Sequence, residues 1–192
     1  MKKKVLVIVA HPDDETIWMG GTILANADKW GLTIISLCRK DDKDRAPKFK
    51  KVCKILKARC FMSDLEDEKL NDISLWEVIK RIKKYSSKKY DYMFTHGKNG
   101  EYRHKRHIDV NKAVKEMLKK KMILCEKIFF FSYTKKGKFC YANKKSDKFI
   151  NLDKKHFNQK KDLIKNIYGF KENSFEYACC GDKEAFNVGI IK

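Results

Sequence analysis

Prolines and acidic side chains are scarce in this 192-residue chain, with 2 prolines and 25 aspartates and glutamates against 45 lysines and arginines. With so few prolines and only 9 glycines, no linker, repeat or domain break stands out. The length suits one domain with a substantial core. Long apolar runs are missing too. The run behind the basic start covers only residues 5–10 and is followed by charged residues, which excludes it as a membrane span. No signal peptide is readable, so a cytoplasmic location is expected. The 7 cysteines are an odd number without a CxxC pair, which argues against a disulfide framework and against a zinc ribbon.

The shortage of acids leaves a formal charge of +20. Such a charge attracts nucleic acid, anionic membrane or anionic small substrates. The lysines are nevertheless spread nearly everywhere along the chain, show no strong interleaving with exposed aromatics, and form no recognised nucleic-acid motif. A general lysine bias accounts for them, and a basic nucleic-acid-binding domain stands as the non-enzymatic rival.

Alternation of strands and helices is what the chain does contain. Residues 3–10 (KKVLVIVA) form a continuously apolar strand, of the kind buried on both faces of a parallel sheet. A helix over 16–29, a strand over 32–37, a helix over 46–57 and a strand over 59–62 follow. Next come a helix over 73–85 with Ile73, Trp76, Ile79 and Ile82 on one face, a strand over 90–95, a helix over 108–120 and a strand over 127–133. The order predicts an α/β fold: one three-layer, Rossmann-like domain over 1–192 with a mostly parallel sheet covered on both faces. Residues 134–192 read as a divergent cap or edge region, with FCYA and KFINL as short strands and 156–167 as the last helix.

Ligands of open α/β sheets collect beyond the carboxyl ends of the strands. The first strand ends in AHPDDE and delivers His11, Asp13 and Asp14. The strand YDYMFT delivers His96 and then GKNGEYRHKRH, with His104 and His107. Four of the 5 histidines thus follow two strand ends. Two histidines and a carboxylate are a common zinc set that leaves a position open for water. His11 and Asp14, three apart where a strand turns into a helix, can face one point, and His107 is the best third ligand. Fe2+ or another divalent ion suits the same donors. Asp13 is then free to take a proton from water activated by the metal. His104 can protonate or hydrogen-bond a developing oxyanion. The set suits hydrolysis of an amide or ester. Glu15 reads as a capping or supporting residue, His96 as pocket wall or support, and His156 as a surface residue.

The segments VLVIVAHPDDETIWMGGTI and THGKNGEYRHKRHIDV resemble the two metal-site segments of the LmbE-like, or PIG-L, family of zinc-dependent de-N-acetylases, and the resemblance covers roughly residues 3–133. It implies a Rossmann-like sheet without a nucleotide-binding glycine loop, Zn2+ on His11, Asp14 and His107, Asp13 as general base, and His104 as oxyanion or leaving-group partner. The implied substrate class is N-acetylglucosamine carried on another group. The chain departs from the family pattern at Arg103, where a glycine is usual, and at Lys105-Arg106, where Pro-Asp is usual. These changes suggest an anionic amino sugar conjugate, phosphorylated or nucleotide-linked. Arg45 in CRKDDKDRAPKFK matches a family arginine of the pocket, although Lys48 stands where an acid is usual. Tyr168-Gly169-Phe170 only partly resembles the family's Tyr-Ser-Gln element. An amidase or esterase acting on a non-sugar substrate is the enzymatic rival.

Overall fold

The computed structural model describes residues 1–189. Seven strands form one sheet in the order β3-β2-β1-β4-β5-β9-β8, where β1 is Lys3–Val9, β2 Trp30–Cys38, β3 Arg59–Leu65, β4 Lys89–Thr95, β5 Leu124–Phe131, β8 Lys148–Asn151 and β9 Lys183–Gly189. The pairings from β3 to β5 are parallel; β9 pairs antiparallel to both β5 and β8. A separate hairpin joins β6 (Tyr133–Lys136) to β7 (Phe139–Ala142).

Helices cover both faces, and β1 shows why. Val5, Val7 and Val9 pack with Ile17 and Ile23 of α1 (Asp14–Asn26) and with Phe49 and Val52 of α2 (Arg45–Ile55). Leu6, Ile8 and Ala10 pack with Val78 and Ile82 of α3 (Leu75–Tyr85) and with Val110 and Val114 of α5 (Lys105–Lys119). These five strand residues and Ala10, which follows them, are fully buried. Each large aliphatic side chain buried this way contributes about 1.5–3 kcal/mol. The result is an α/β, Rossmann-like three-layer arrangement around a mixed, mostly parallel sheet.

Three local expectations shift. The α1 helix starts at Asp14 rather than at 16, and α5 starts at Lys105, just after the short α4 (Gly100–Arg103). Trp76 is 54% exposed beneath the Lys120 ammonium instead of joining the core. A 3-residue step falls short of the 3.6-residue turn, so successive positions drift off the face; Val78, Ile79 and Ile82 are what α3 buries. Strand β9 is not announced by the sequence pattern, because a charged residue, Glu184, occupies a buried position in it.

FCYA and KFIN do form strands, β7 and β8. The segment after β8 is α6 (Lys154–Asp162), a π-helical turn at Leu163–Ile167, and α7 (Phe175–Cys179). All 7 cysteines are free thiols. No helix among the described residues is long and apolar enough to cross a membrane.

Candidate metal centre and active site

The sheet order reverses direction between β1 and β4, the two central strands. The crevice beyond their carboxyl ends is where such folds bind ligands. His11 leaves β1 there, His96 leaves β4, and α5 begins there with His104 at its N-cap and His107 in its first turn. A cavity of about 190 Å3 opens above, lined by His11, Asp13, Asp14, Arg45 and His104 among others.

Three donor atoms converge beside it: His11 and Asp14 line the cavity, and fully buried His107 stands against them. His11 Nδ1 lies 3.2 Å from Asp14 Oδ2 and 3.1 Å from His107 Nε2, and the His107–Asp14 edge is 3.4 Å. A tetrahedral ion with bonds of about 2.0–2.2 Å spaces its ligands by roughly 3.3–3.6 Å, so this triangle fits a divalent cation. Carboxylates orient both imidazoles: Glu101 Oε2 holds His107 Nδ1 at 2.6 Å, and Asp67 Oδ1 holds His11 Nε2 at 3.0 Å. Such partners fix the ring and the free nitrogen that binds metal. Asp14 is fixed as well, since Trp18 Nε1 donates to its Oδ1 at 2.8 Å and the His11 amide donates to Oδ2 at 2.8 Å.

Electrostatics prepare the site for positive charge. Burial opposes the His11 imidazolium, yet hydrogen bonds and charges from Asp14 and Asp67 outweigh it and raise His11 to about 10. Burial pushes His107 down. The carboxylates around His11 thus favour a positive charge at the three donors, where a metal ion could take the place of a proton.

Other groupings share these residues. His11, His104 and His107, then Asp14, His96 and His107, and also His11, Cys38 and Asp67 each place ligand atoms within 4.8 Å of one another. His96 is fully buried below the cavity. Its Nε2 accepts from the Ala10 amide at 2.9 Å, while Nδ1 meets Glu101 Oε2 at 2.8 Å. Both nitrogens are thereby engaged, and His96 braces the floor.

Asp13 stands beside the triangle with a φ of 114°, an uncommon backbone conformation for an L-residue and one that tends to occur at functional sites. Glu15 stabilises that turn: Oε2 accepts from the Asp13 amide at 3.1 Å, and Oε1 accepts from Thr16 Oγ1 at 2.6 Å and from the Tyr168 hydroxyl at 2.7 Å. Arg45 NH1 donates to Asp13 Oδ2 at 2.6 Å, and the Arg45 guanidinium lies 4.4 Å from the centre of the Phe170 ring. Tyr168 and Phe170 thus support the turn and Arg45, although their sequence only weakly resembles the expected element. Burial and the Asp14 charge raise Asp13 well above the usual carboxylate range, against the pull of Arg45.

His104 faces the cavity 4.7 Å from His11, ring centre to ring centre. Its Nδ1 is buried with no partner. Burial, with His107 and His11 nearby, lowers it to about 4, so the imidazole is neutral at pH 7.

The basic residues near the motif lie elsewhere. Arg103 is exposed and outside the cavity lining, Lys105 pairs with Asp72 at 2.6 Å, and buried Arg106 pairs with Glu66 at 2.6 Å and Asp109 at 2.8 Å. His156 joins Asp153 at the start of α6, outside the cavity lining. Sequence reasoning missed Glu101, Asp67, Arg39, Trp18, Tyr102, Phe175 and Glu176. Glu101 and Tyr102 lay inside a segment already singled out, and Asp67 follows a strand end, so the strand-end rule could have found them.

No curated protein matches the chain in sequence. Solved structures share its fold. A 4-carboxy-2-hydroxymuconate hydratase from Pseudomonas putida superposes with a TM-score of 0.71 at 14% identity, over 100% of this chain and 98% of that one. A conserved protein from Thermus thermophilus gives 0.70 at 15%, over 99% and 96%. The N,N'-diacetylchitobiose deacetylase from Pyrococcus horikoshii gives 0.70 at 16%, over 97% and 84%. In sequence, the PIG-L model, described as GlcNAc-PI de-N-acetylase, matches residues 6–118. That match takes in more than half of the chain and both ligand-bearing turns, and the protein belongs to the PIG-L family.

Proposed function

We propose that the protein is a metal-dependent hydrolase that removes the acetyl group from an N-acetylated amino sugar conjugate, with Zn2+ on His11, Asp14 and His107. The observation that carries this reading is the triangle of donor atoms with sides of 3.1, 3.2 and 3.4 Å, flanked by the Asp13 carboxylate. The family description and the deacetylase among the structural neighbours support the choice of bond and substrate class.

A cation held there supplies Lewis acidity, acidifying a water and polarising an acyl oxygen. The rest falls to the chain. Arg45 tethers one oxygen of Asp13, whose ionised carboxylate, made more basic by burial, takes the proton of the attacking water. Neutral His104 donates an N–H hydrogen bond to the acyl oxygen as negative charge builds on it. Hydroxide adds to the acyl carbon, the C–N bond breaks, and Asp13 returns the proton to the departing nitrogen. Acetate and a free amine result.

The cavity lining carries four carboxylates, from Asp13, Asp14, Asp67 and Glu176, against the guanidiniums of Arg39 and Arg45. Both guanidiniums are paired, Arg39 with Asp67 at 3.0 Å and Arg45 with Asp13 at 2.6 Å. An anionic conjugate would have to meet those two arginines, so the assay includes neutral and phosphorylated sugars. Zinc-loaded protein is given N-acetylglucosamine conjugates of both kinds, together with simple amides, esters and an enol acid, since one structural neighbour is a hydratase. Acetate released from the sugars alone is the expected result. Turnover of esters or the enol acid without sugar deacetylation would overturn the reading.

A further inference from the structure

Helix α1 is broken. Met19 leaves helical geometry, with φ −151° and ψ 16°, and a break frees backbone groups that then need partners. Two residues from beyond the family match, Tyr133 and Glu184, supply them. The Tyr133 hydroxyl donates to the Trp18 carbonyl at 2.6 Å. Glu184 Oε1 accepts from the Gly21 amide at 2.8 Å, and its Oε2 accepts from the Thr22 amide at 2.8 Å and the Thr22 hydroxyl at 2.5 Å. The Glu184 charge is met by Lys160 Nζ at 2.8 Å, and both side chains are fully buried. Gly20 admits the Lys160 stem, since an added Cβ would lie 3.2 Å from Lys160 Cγ, and Gly21 admits the neighbouring Leu152, which an added Cβ would overlap.

A buried ion pair is seldom worth more to stability than apolar packing. A carboxylate, however, can accept from two amides and a hydroxyl at once, which no apolar side chain does. What the break positions is Trp18, the last residue of the first half of α1, whose indole N–H donates to Asp14 Oδ1 at 2.8 Å. The other oxygen of that carboxylate belongs to the donor triangle.

We infer that Glu184, with Lys160 as its counter-charge and Tyr133 at the Trp18 carbonyl, is a positioning residue: it holds α1 broken so that Trp18 fixes the Asp14 carboxylate for the metal. The metal half of this inference rests on the reading under Proposed function; the link from Glu184 to Trp18 does not.

The test uses Glu184→Gln/Lys160→Met, which leaves no unpaired buried charge, and Tyr133→Phe, which removes a single hydroxyl and remains informative if the double variant does not fold. The first readout is the Trp18 indole N–H resonance in metal-free protein, assigned by its loss in Trp18→Phe. The second is zinc affinity by competition with a chromophoric chelator. In the double variant the expected result is a displaced indole resonance whose solvent exchange is at least about tenfold faster, with zinc bound about tenfold more weakly. Tyr133→Phe moves both in the same direction by less. Folded variants with the wild-type indole resonance and unchanged zinc affinity, lowered only in Tm, would make these residues a fold anchor and overturn the inference. If the wild-type protein binds no zinc, the metal reading fails, and the indole readout alone upholds or overturns the link to Trp18.

Discussion

Replacing Asp13 with asparagine removes one charge and little else. Its φ of 114° is better tolerated by asparagine than by most side chains. The Thr16 and Ile17 amides, which donate to the Asp13 carbonyl at 2.9 and 2.8 Å, keep their acceptor. None of the three donor atoms belongs to Asp13, so metal content stays at the wild-type level. Turnover does not. Loss of a positioned general base costs about 10²–10⁴-fold, or roughly 3–5 kcal/mol of transition-state stabilisation. Stability of the metal-free protein moves the other way. Burial and the Asp14 charge raise the Asp13 carboxyl well above its usual value, and Arg45 offsets them only in part. A carboxyl raised by folding weakens the fold as pH climbs from its unfolded pKa, about 3.9, through the folded one. Asparagine lacks that penalty, so the chelated variant at pH 7 melts at or above the wild-type temperature. Initial rates of acetate release, bound-metal content and thermal melts of chelated protein check the three parts. Turnover within about tenfold of wild type would refute the base assignment, and a clearly lower melting temperature would refute the electrostatic account.

His11→Ala and His107→Ala each remove one corner of the triangle and should abolish stoichiometric zinc, read by elemental analysis of dialysed protein. Glu101→Gln leaves all three donors in place but loosens His107, so zinc affinity falls about 10–100-fold in chelator competition. His104 is lowered to about 4; the unfolded chain binds its proton first, so metal-free protein loses stability as pH falls from about 6.5 towards 4. In His104→Gln, melts across that window should show a flatter pH dependence than wild type. Arg106→Leu removes the pairs to Glu66 and Asp109 and the hydrogen bond to the Asn71 carbonyl, and should lower the Tm in thermal melts. KM for a neutral sugar should stay unchanged, because Arg106 lies outside the cavity.

Much of the centre of the fold was legible in one dimension. The run Val5–Ala10 reads as a strand buried on both faces because every position is apolar, and the core clusters divide those six residues between the two helical layers. The motif residues were legible for a related reason. A strand end fixes where the next residues go, so His11, Asp14 and His107, 96 positions apart at the extremes, could be assigned to one crevice from strand order alone. Charge was less legible. Lys105 and Arg106 beside His104 suggested a basic pocket, but the partners that neutralise them, Asp72, Glu66 and Asp109, lie on a distant loop and further along the same helix. Nothing local in the sequence shows which carboxylate a lysine or arginine will meet.

By itself, then, the sequence determined the central parallel strands, the helices between them and the residues at their carboxyl ends, because local periodicity and the direction of a strand are properties of contiguous residues. Only the tertiary structure decided how those residues are held. Asp67 behind His11, Phe170 against Arg45 and Glu184 across the break in α1 are contacts between segments far apart in the chain, and even Glu101, only five and six residues from His96 and His107, meets both rings through a turn that the local pattern does not display. Their energies depend on distance and burial in three dimensions, which the order of residues along the chain does not display.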